Sequence, residues 1–278
     1  MASHLFNLNG VPLKQVASQV WAEIRADDVF GRSAQLAYYF FLALFPFLIC
    51  VIASLSVFGS ADSGRAVLFG VLARLLPGPA FQLISNTFGE IVQTSGALKM
   101  SLGIVASLVS ASFGMSAVMD TLNAAYKVKE TRSLVKQYAV AIGLTIGIVI
   151  LLVVALAAAV VGDKIADAIS SGPIAAMLCK ILQWPLAVAV LVLAFAITYH
   201  FGPNLENPQW HWLTPGAVVG VLLLLLMSIG LRGYLHYLGT YTVTYGSLGG
   251  VLILLLCFYL SGFAVLSGGA VNGVLKSL

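Results

Sequence analysis

Residues 248–275 read LGGVLILLLCFYLSGFAVLSGGAVNGVL without one charged side chain. About 20 apolar residues carry a helix across a bilayer, so this run crosses one with length left over for tilt. Working back toward the N-terminus, residues 36–58, 98–119, 138–161, 181–201 and 215–235 read the same way. The 278-residue chain is 60% hydrophobic and only 9% charged, where about 25% charged is usual for a globular protein. It needs lipid as its solvent. The expected fold is all-α: a polytopic membrane helix bundle with six transmembrane helices, built as one membrane domain over residues 36–278. None of the ten Asp and Glu residues falls clearly inside the six stretches. Buried carboxylates are costly in a membrane and usually mark proton relays or cation sites, so their lack argues against acid-driven coupling.

Residues 1–35 form a separate N-terminal segment. Leu13, Val16, Val20 and Ile24 recur at helical spacing, with Lys14, Glu23 and Arg25 on other faces, the pattern of an amphipathic helix at a membrane surface or on a partner. Trp21 suits the headgroup region. No apolar core of signal-peptide length precedes residue 36, so the first span is expected to serve as an uncleaved insertion signal. Between the first two spans, Pro77, Gly78 and Pro79 divide a helical hairpin. Its apolar faces, Val67 to Leu76 and Phe81 to Ile91, are expected to lie against the outer side of the bundle. An even number of spans puts both termini on one side. The dense loop of Lys127, Lys129, Arg132 and Lys136 then assigns that side to the cytoplasm of a bacterial inner membrane, because short cytoplasmic loops collect Lys and Arg. Eight of the fourteen basic residues fall there (Lys14, Arg25, Arg32, these four and Lys276). The net charge of +4 is too scattered to imply a nucleic-acid partner.

Residues 36–49, LAYYFFLALFPFLI, set Tyr38 and Tyr39 ahead of Pro46. A proline removes a backbone donor and leaves a carbonyl to be satisfied by a neighbour or water; it reads either as a substrate-lining break or as an ordinary kink. Small residues recur every fourth position at Ala139, Gly143 and Gly147, at Gly216 and Gly220, and at Gly269 and Gly273. They mark close helix contacts, within one chain or between copies. His200, in TYHFGPN, and His211, between Trp210 and Trp212, lack the convergent partners that a metal site needs. Cys50, Cys179 and Cys257 have no disulfide spacing. Two runs stand out: DTLNAAYKVKETR, joining Asn123, Tyr126, Glu130 and Arg132 at helical intervals, and TYTVTYGSLGG, where Tyr241 and Tyr245 precede Gly246, Gly249 and Gly250.

With these residues in view, the chain resembles the YihY/virulence factor BrkB family, formerly labelled ribonuclease BN-like. The pieces that carry the likeness are Leu36, Ala37, Tyr38 and Pro46; Asn123, Tyr126, Glu130 and Arg132; Pro215 and Gly216; and Tyr245, Gly246 and Ser247. The resemblance implies a six-helix inner-membrane protein. The chain departs from the family pattern in two places. Gly268-Gly269-Ala270-Val271-Asn272 lacks the family's glutamate, and Cys257 stands where a tryptophan is common.

Three functions compete. A transporter or lipid-handling protein for an amphiphilic or neutral substrate follows from the Pro46 break, the tyrosines and the hairpin. A structural or assembly factor of the envelope follows from the small-residue faces. A membrane-bound ribonuclease is least favoured, since no carboxylates or histidines are placed to hold catalytic metals. No enzyme activity and no cofactor are therefore expected. The residues expected to bind or gate are Tyr38, Tyr39, Pro46, Asn123, Tyr126, Arg132, Tyr241, Tyr245 and Asn272. Membrane lipid is the expected partner, with a homo-oligomer through the small-residue faces as a further one.

Overall fold

The computed structural model describes residues 11–55, 65–66, 68–70, 72–73, 76–94, 97–168, 173–205, 214–237 and 247–277. Among these the fold is helical throughout: α1 Leu13–Ala26, α2 Val29–Leu55, α3 Gly78–Thr94, α4 Ala97–Ala125, α5 Leu134–Ala168, α6 Pro173–Phe201, α7 Pro215–Tyr237 and α8 Ser247–Ser277. Among the described residues, three helices are long and apolar enough to cross a membrane: α5, α7 and α8. Helix α5 carries Tyr138, Ile142, Ile146, Ile150 and Val154 exposed at every fourth position. A stripe of that kind suits contact with hydrocarbon better than with water.

Helix α8 is the hub and touches α1, α2, α3, α4 and α7. Its glycines explain how so many helices approach it. A Cβ on Gly216 of α7 would strike the Gly268 carbonyl and Asn272, one on Gly268 the Tyr199 hydroxyl and the Gly216 carbonyl, and one on Gly273 the Ala125 carbonyl. Small residues allow backbones this close when burial of apolar area gives helices no preference for each other over lipid. These faces therefore work within the chain. The stripe on α5 differs, since a Cβ on Gly143 or Gly147 would meet nothing.

The corner between α1 and α2 is set locally. Asp28 takes a positive φ of 47°, a conformation that Asp tolerates better than most residues. From there its carboxylate caps the N–H of Gly31 at 3.3 Å, as an N-cap residue should. Gly31 leaves room for that carboxylate, which would have to shift to admit a Cβ there.

The core divides between the two ends of the bundle. At the end carrying α1, Leu36, Val118, Leu122, Phe195, Tyr199, Val221, Leu266 and Ala270 pack together. At the other end Leu44 and Leu48 of α2 meet Ala80, Ile84 and Phe88 of α3 and Ile253 and Leu254 of α8. Helix α3 thus lies by its apolar face against the end of the bundle opposite α1. Ile84 is 0% exposed, and the Pro79 carbonyl lies 2.8 Å from where Gly250 would carry a Cβ. Ala80, Ile84 and Phe88 turn toward α2 and α8 while Gln82 and Asn86 on the opposite face stay exposed.

Candidate functional site

The run from Asn123 to Arg132 is not one helix. Helix α4 ends at Ala125, and Lys127 adopts a φ of 54° while the Val128 N–H donates back to the Asn123 carbonyl at 2.9 Å. This turn, in place of the helical interval read from sequence, folds residues 128–132 back under α4. Asn123 Nδ2 then donates to Glu130 Oε2 at 2.8 Å, and the other carboxylate oxygen accepts the Arg132 N–H at 3.0 Å. Arg132 reaches across to the end of α6, where Nε donates to Asn204 Oδ1 at 3.1 Å and both terminal nitrogens donate to the Gly202 carbonyl at 3.3 Å. Its Nε stands 3.6 Å from Glu130 Oε1, with the side chain only 10% exposed. Asn204 completes the ring: its N–H donates to Asn123 Oδ1 at 2.7 Å, and Nδ2 donates to Thr131 Oγ1 at 2.7 Å and the Lys129 carbonyl at 3.1 Å.

A second node lies beside it. Thr214 caps α7 by accepting the Ala217 N–H at 3.1 Å, and Pro215 follows at the first helical position, where a missing N–H costs nothing. Asn272 of α8 supplies the next cap: its Oδ1 accepts the Gly216 N–H at 2.8 Å and its Nδ2 donates to Thr214 Oγ1 at 3.1 Å. The Tyr126 hydroxyl faces Asn272, and burial holds that phenol well above its ordinary pKa. Lys276 lies 5.8 Å over the Tyr126 ring, close enough for a cation–π contact. Further out, Lys127 pairs with Glu23 of α1 at 2.6 Å, and that hydrogen bond raises the lysine's pKa. Arg32 of α2 joins in through the Asp27 carbonyl and Thr121 Oγ1.

Four of the expected site residues are thus brought together: Asn123, Tyr126, Arg132 and Asn272. Tyr38 stands apart, 58% exposed and edge-on to Tyr39 at 5.9 Å. Pro46 falls within α2, which is one helical element through that position. Tyr241 and Tyr245 lie outside the described residues. Sequence reading missed the roles of Asn204 and Thr214, although both sit in the TYHFGPN and PQWHWLTPG runs. Elsewhere the hydroxyls of Ser33, Ser112, Thr145, Thr198 and Ser261 donate to the carbonyl four residues back. Such groups satisfy themselves inside a helix.

The open feature at this end is apolar. Under α1, a groove of about 460 Å³ is lined by Leu13, Val16, Ala17, Val20, Trp21 and Ile24, with Pro215 and Val219 of α7 and Val271 and Leu275 of α8. Trp21 is steadied by Arg25, 4.9 Å from its ring centroid, and by Phe30 edge-on at 6.1 Å. Among the described residues no three His, Cys, Asp or Glu side chains converge as a metal site would require.

Apolar helices, a glycine-mediated core and polar caps gathered at one end define a polytopic helical membrane protein. Residues 20–277 match the profile of the Virulence factor BrkB family, and the chain belongs to that family. The ribonuclease-like protein YfkH of Bacillus subtilis is 32% identical over 249 residues, covering 88% of this chain and 89% of that protein. A UPF0761 membrane protein of Xanthomonas oryzae is 28% identical over 254 residues, and one from Xanthomonas campestris is 26% identical over the same length. The chain spans 58% of the length of these Xanthomonas relatives. No solved structure matches.

Proposed function

We propose that the protein handles membrane lipid, with the groove beneath α1 as the place where an acyl chain lies. The groove itself carries the reading: ten apolar side chains from three helices line about 460 Å³ next to an amphipathic surface helix. A concave apolar site against a bilayer fits hydrocarbon better than a polar solute. The polar residues once expected to contact substrate favour the same view, because Asn123, Arg132 and Asn272 are engaged with other parts of the chain.

In this reading six helices span a bacterial inner membrane with both termini in the cytoplasm, and the groove opens to the inner leaflet. No chemical step is assigned. The ribonuclease-like name belongs to the Bacillus relative, and here Lys127 pairs with Glu23 and Arg132 with Asn204. Reconstituted protein is expected to accelerate exchange of a fluorescent phospholipid between leaflets over empty vesicles, and Ala17→Phe, which fills the groove, to remove that acceleration. Equal rates with and without protein would discard the reading.

A further inference from the structure

Resting on the lipid-handling reading, we infer that the groove beneath α1 selects an anionic phospholipid, its acyl chain in the groove and its headgroup at Lys14 and Lys276. The charge around the groove carries this assignment. Three lining residues, Leu13, Ile24 and Leu275, are each followed in the chain by a basic one: Lys14, Arg25 and Lys276. All three basic residues are exposed. Among the described residues Lys14 has no carboxylate within ion-pair distance. Arg25 sits over Trp21 and Lys276 over Tyr126, and among the described residues neither is in an ion pair with a carboxylate. The one acidic side chain within α1, Glu23, is already neutralised by Lys127 at 2.6 Å.

The neighbouring acids are directed elsewhere. Asp28 is turned back onto the Gly31 N–H, and Asp27 faces the positive charges of Arg32 and Lys127. An apolar trough whose flanking charges are positive and uncompensated matches a ligand with hydrocarbon at one end and negative charge at the other. A neutral lipid would leave the lysines without a partner. A basic residue near an anionic lipid surface favours binding by about fivefold, and salt weakens that attraction.

Trp21 lines the groove and reports on it directly. In a variant with Trp184→Phe, Trp210→Phe and Trp212→Phe, it becomes the sole tryptophan of the four. The protein goes into phosphatidylcholine vesicles containing an equal minor fraction of dibrominated phosphatidylglycerol or dibrominated phosphatidylcholine. Brominated phosphatidylglycerol is expected to quench Trp21 at a several-fold lower mole fraction. Lys14→Ala reduces that preference about fivefold, Lys14→Arg retains it, and Ala17→Phe and the milder Ala17→Leu relieve quenching by both lipids in proportion to added volume. Equal quenching by the two lipids, still relieved at Ala17, overturns the anionic selectivity while the acyl-chain groove stands. Quenching that Ala17→Phe leaves unchanged reports bulk bilayer and overturns both. Quenching that arises only after deletion of residues 2–10 assigns the groove to that segment and overturns both as well.

Discussion

The two ends of the bundle are closed by different physics. At the α1 end, Asn123, Glu130, Arg132, Asn204, Thr214 and Asn272 tie α4, α6, α7 and α8 together by directional hydrogen bonds. At the other end α3 is held by shape: Ile84 and Phe88 fit against Leu44, Leu48, Ile253 and Leu254, and the Phe69 ring lies edge-on to Phe88 at 5.5 Å. Hydrogen bonds fix register and angle, because misplacing one group leaves another buried and unpaired. Apolar packing tolerates repacking as long as volume is kept. The α1 end is therefore the rigid frame on which a groove can keep its width.

Substitutions can break that contrast, and the largest effect is expected where both ends depend on α8. Gly273→Leu, which drives a side chain into the Ala125 carbonyl, is expected to cost about 3 kcal/mol or more, read as loss of the monodisperse peak in detergent. Arg132→Ala leaves Asn204, the Gly202 carbonyl and Glu130 without their partner and should cost about 3 kcal/mol in thermal unfolding. Arg132→Lys should recover only part, since an ammonium cannot reproduce the guanidinium fork. Ile84→Ala at the other end is expected to cost about 2 kcal/mol, and Ile84→Leu much less. If Ile84→Leu were as damaging as Arg132→Lys, the distinction between the ends would fail.

The smallest effect concerns pH. Burial raises the Asp27 carboxyl above 3.8, so the folded state binds this proton more tightly than the unfolded one. Asp27 favours folding below its ordinary pKa and loses that contribution as pH rises through the raised value. Asp27→Asn should therefore melt slightly higher than the parent at neutral pH. The gap should close on acidification through the ordinary carboxylate range, followed by thermal melts from pH 7 to pH 3.

Much of this frame is legible in sequence, for identifiable reasons. Helix α1 shows because its apolar residues keep one face. The glycines of α7 and α8 show because only small residues let helices touch so closely. Asn204 is harder to read: its N–H meets Asn123 across 81 residues of chain, and no local pattern encodes that. The turn at Lys127 was hidden because Asn123, Tyr126 and Glu130 happen to share helical spacing. The outward direction of Tyr38 was equally hidden, since α2 is apolar on most faces and periodicity cannot say which face meets lipid. The groove joins residues 13–24 with residues 215–275 and exists only once the chain's two ends meet.

The hub position of α8 also bears on the order of synthesis. It follows the other described helices in the chain, yet Tyr199, Gly216 and Ala125 on three of those earlier helices are shaped to receive Gly268 and Gly273. Chains fold from the N-terminus as they emerge, so α4, α6 and α7 are made with these contact surfaces uncovered. The groove beneath α1 comes into being with α8, which supplies Val271 and Leu275 to its lining, and a nascent chain arrested before that helix has no such groove.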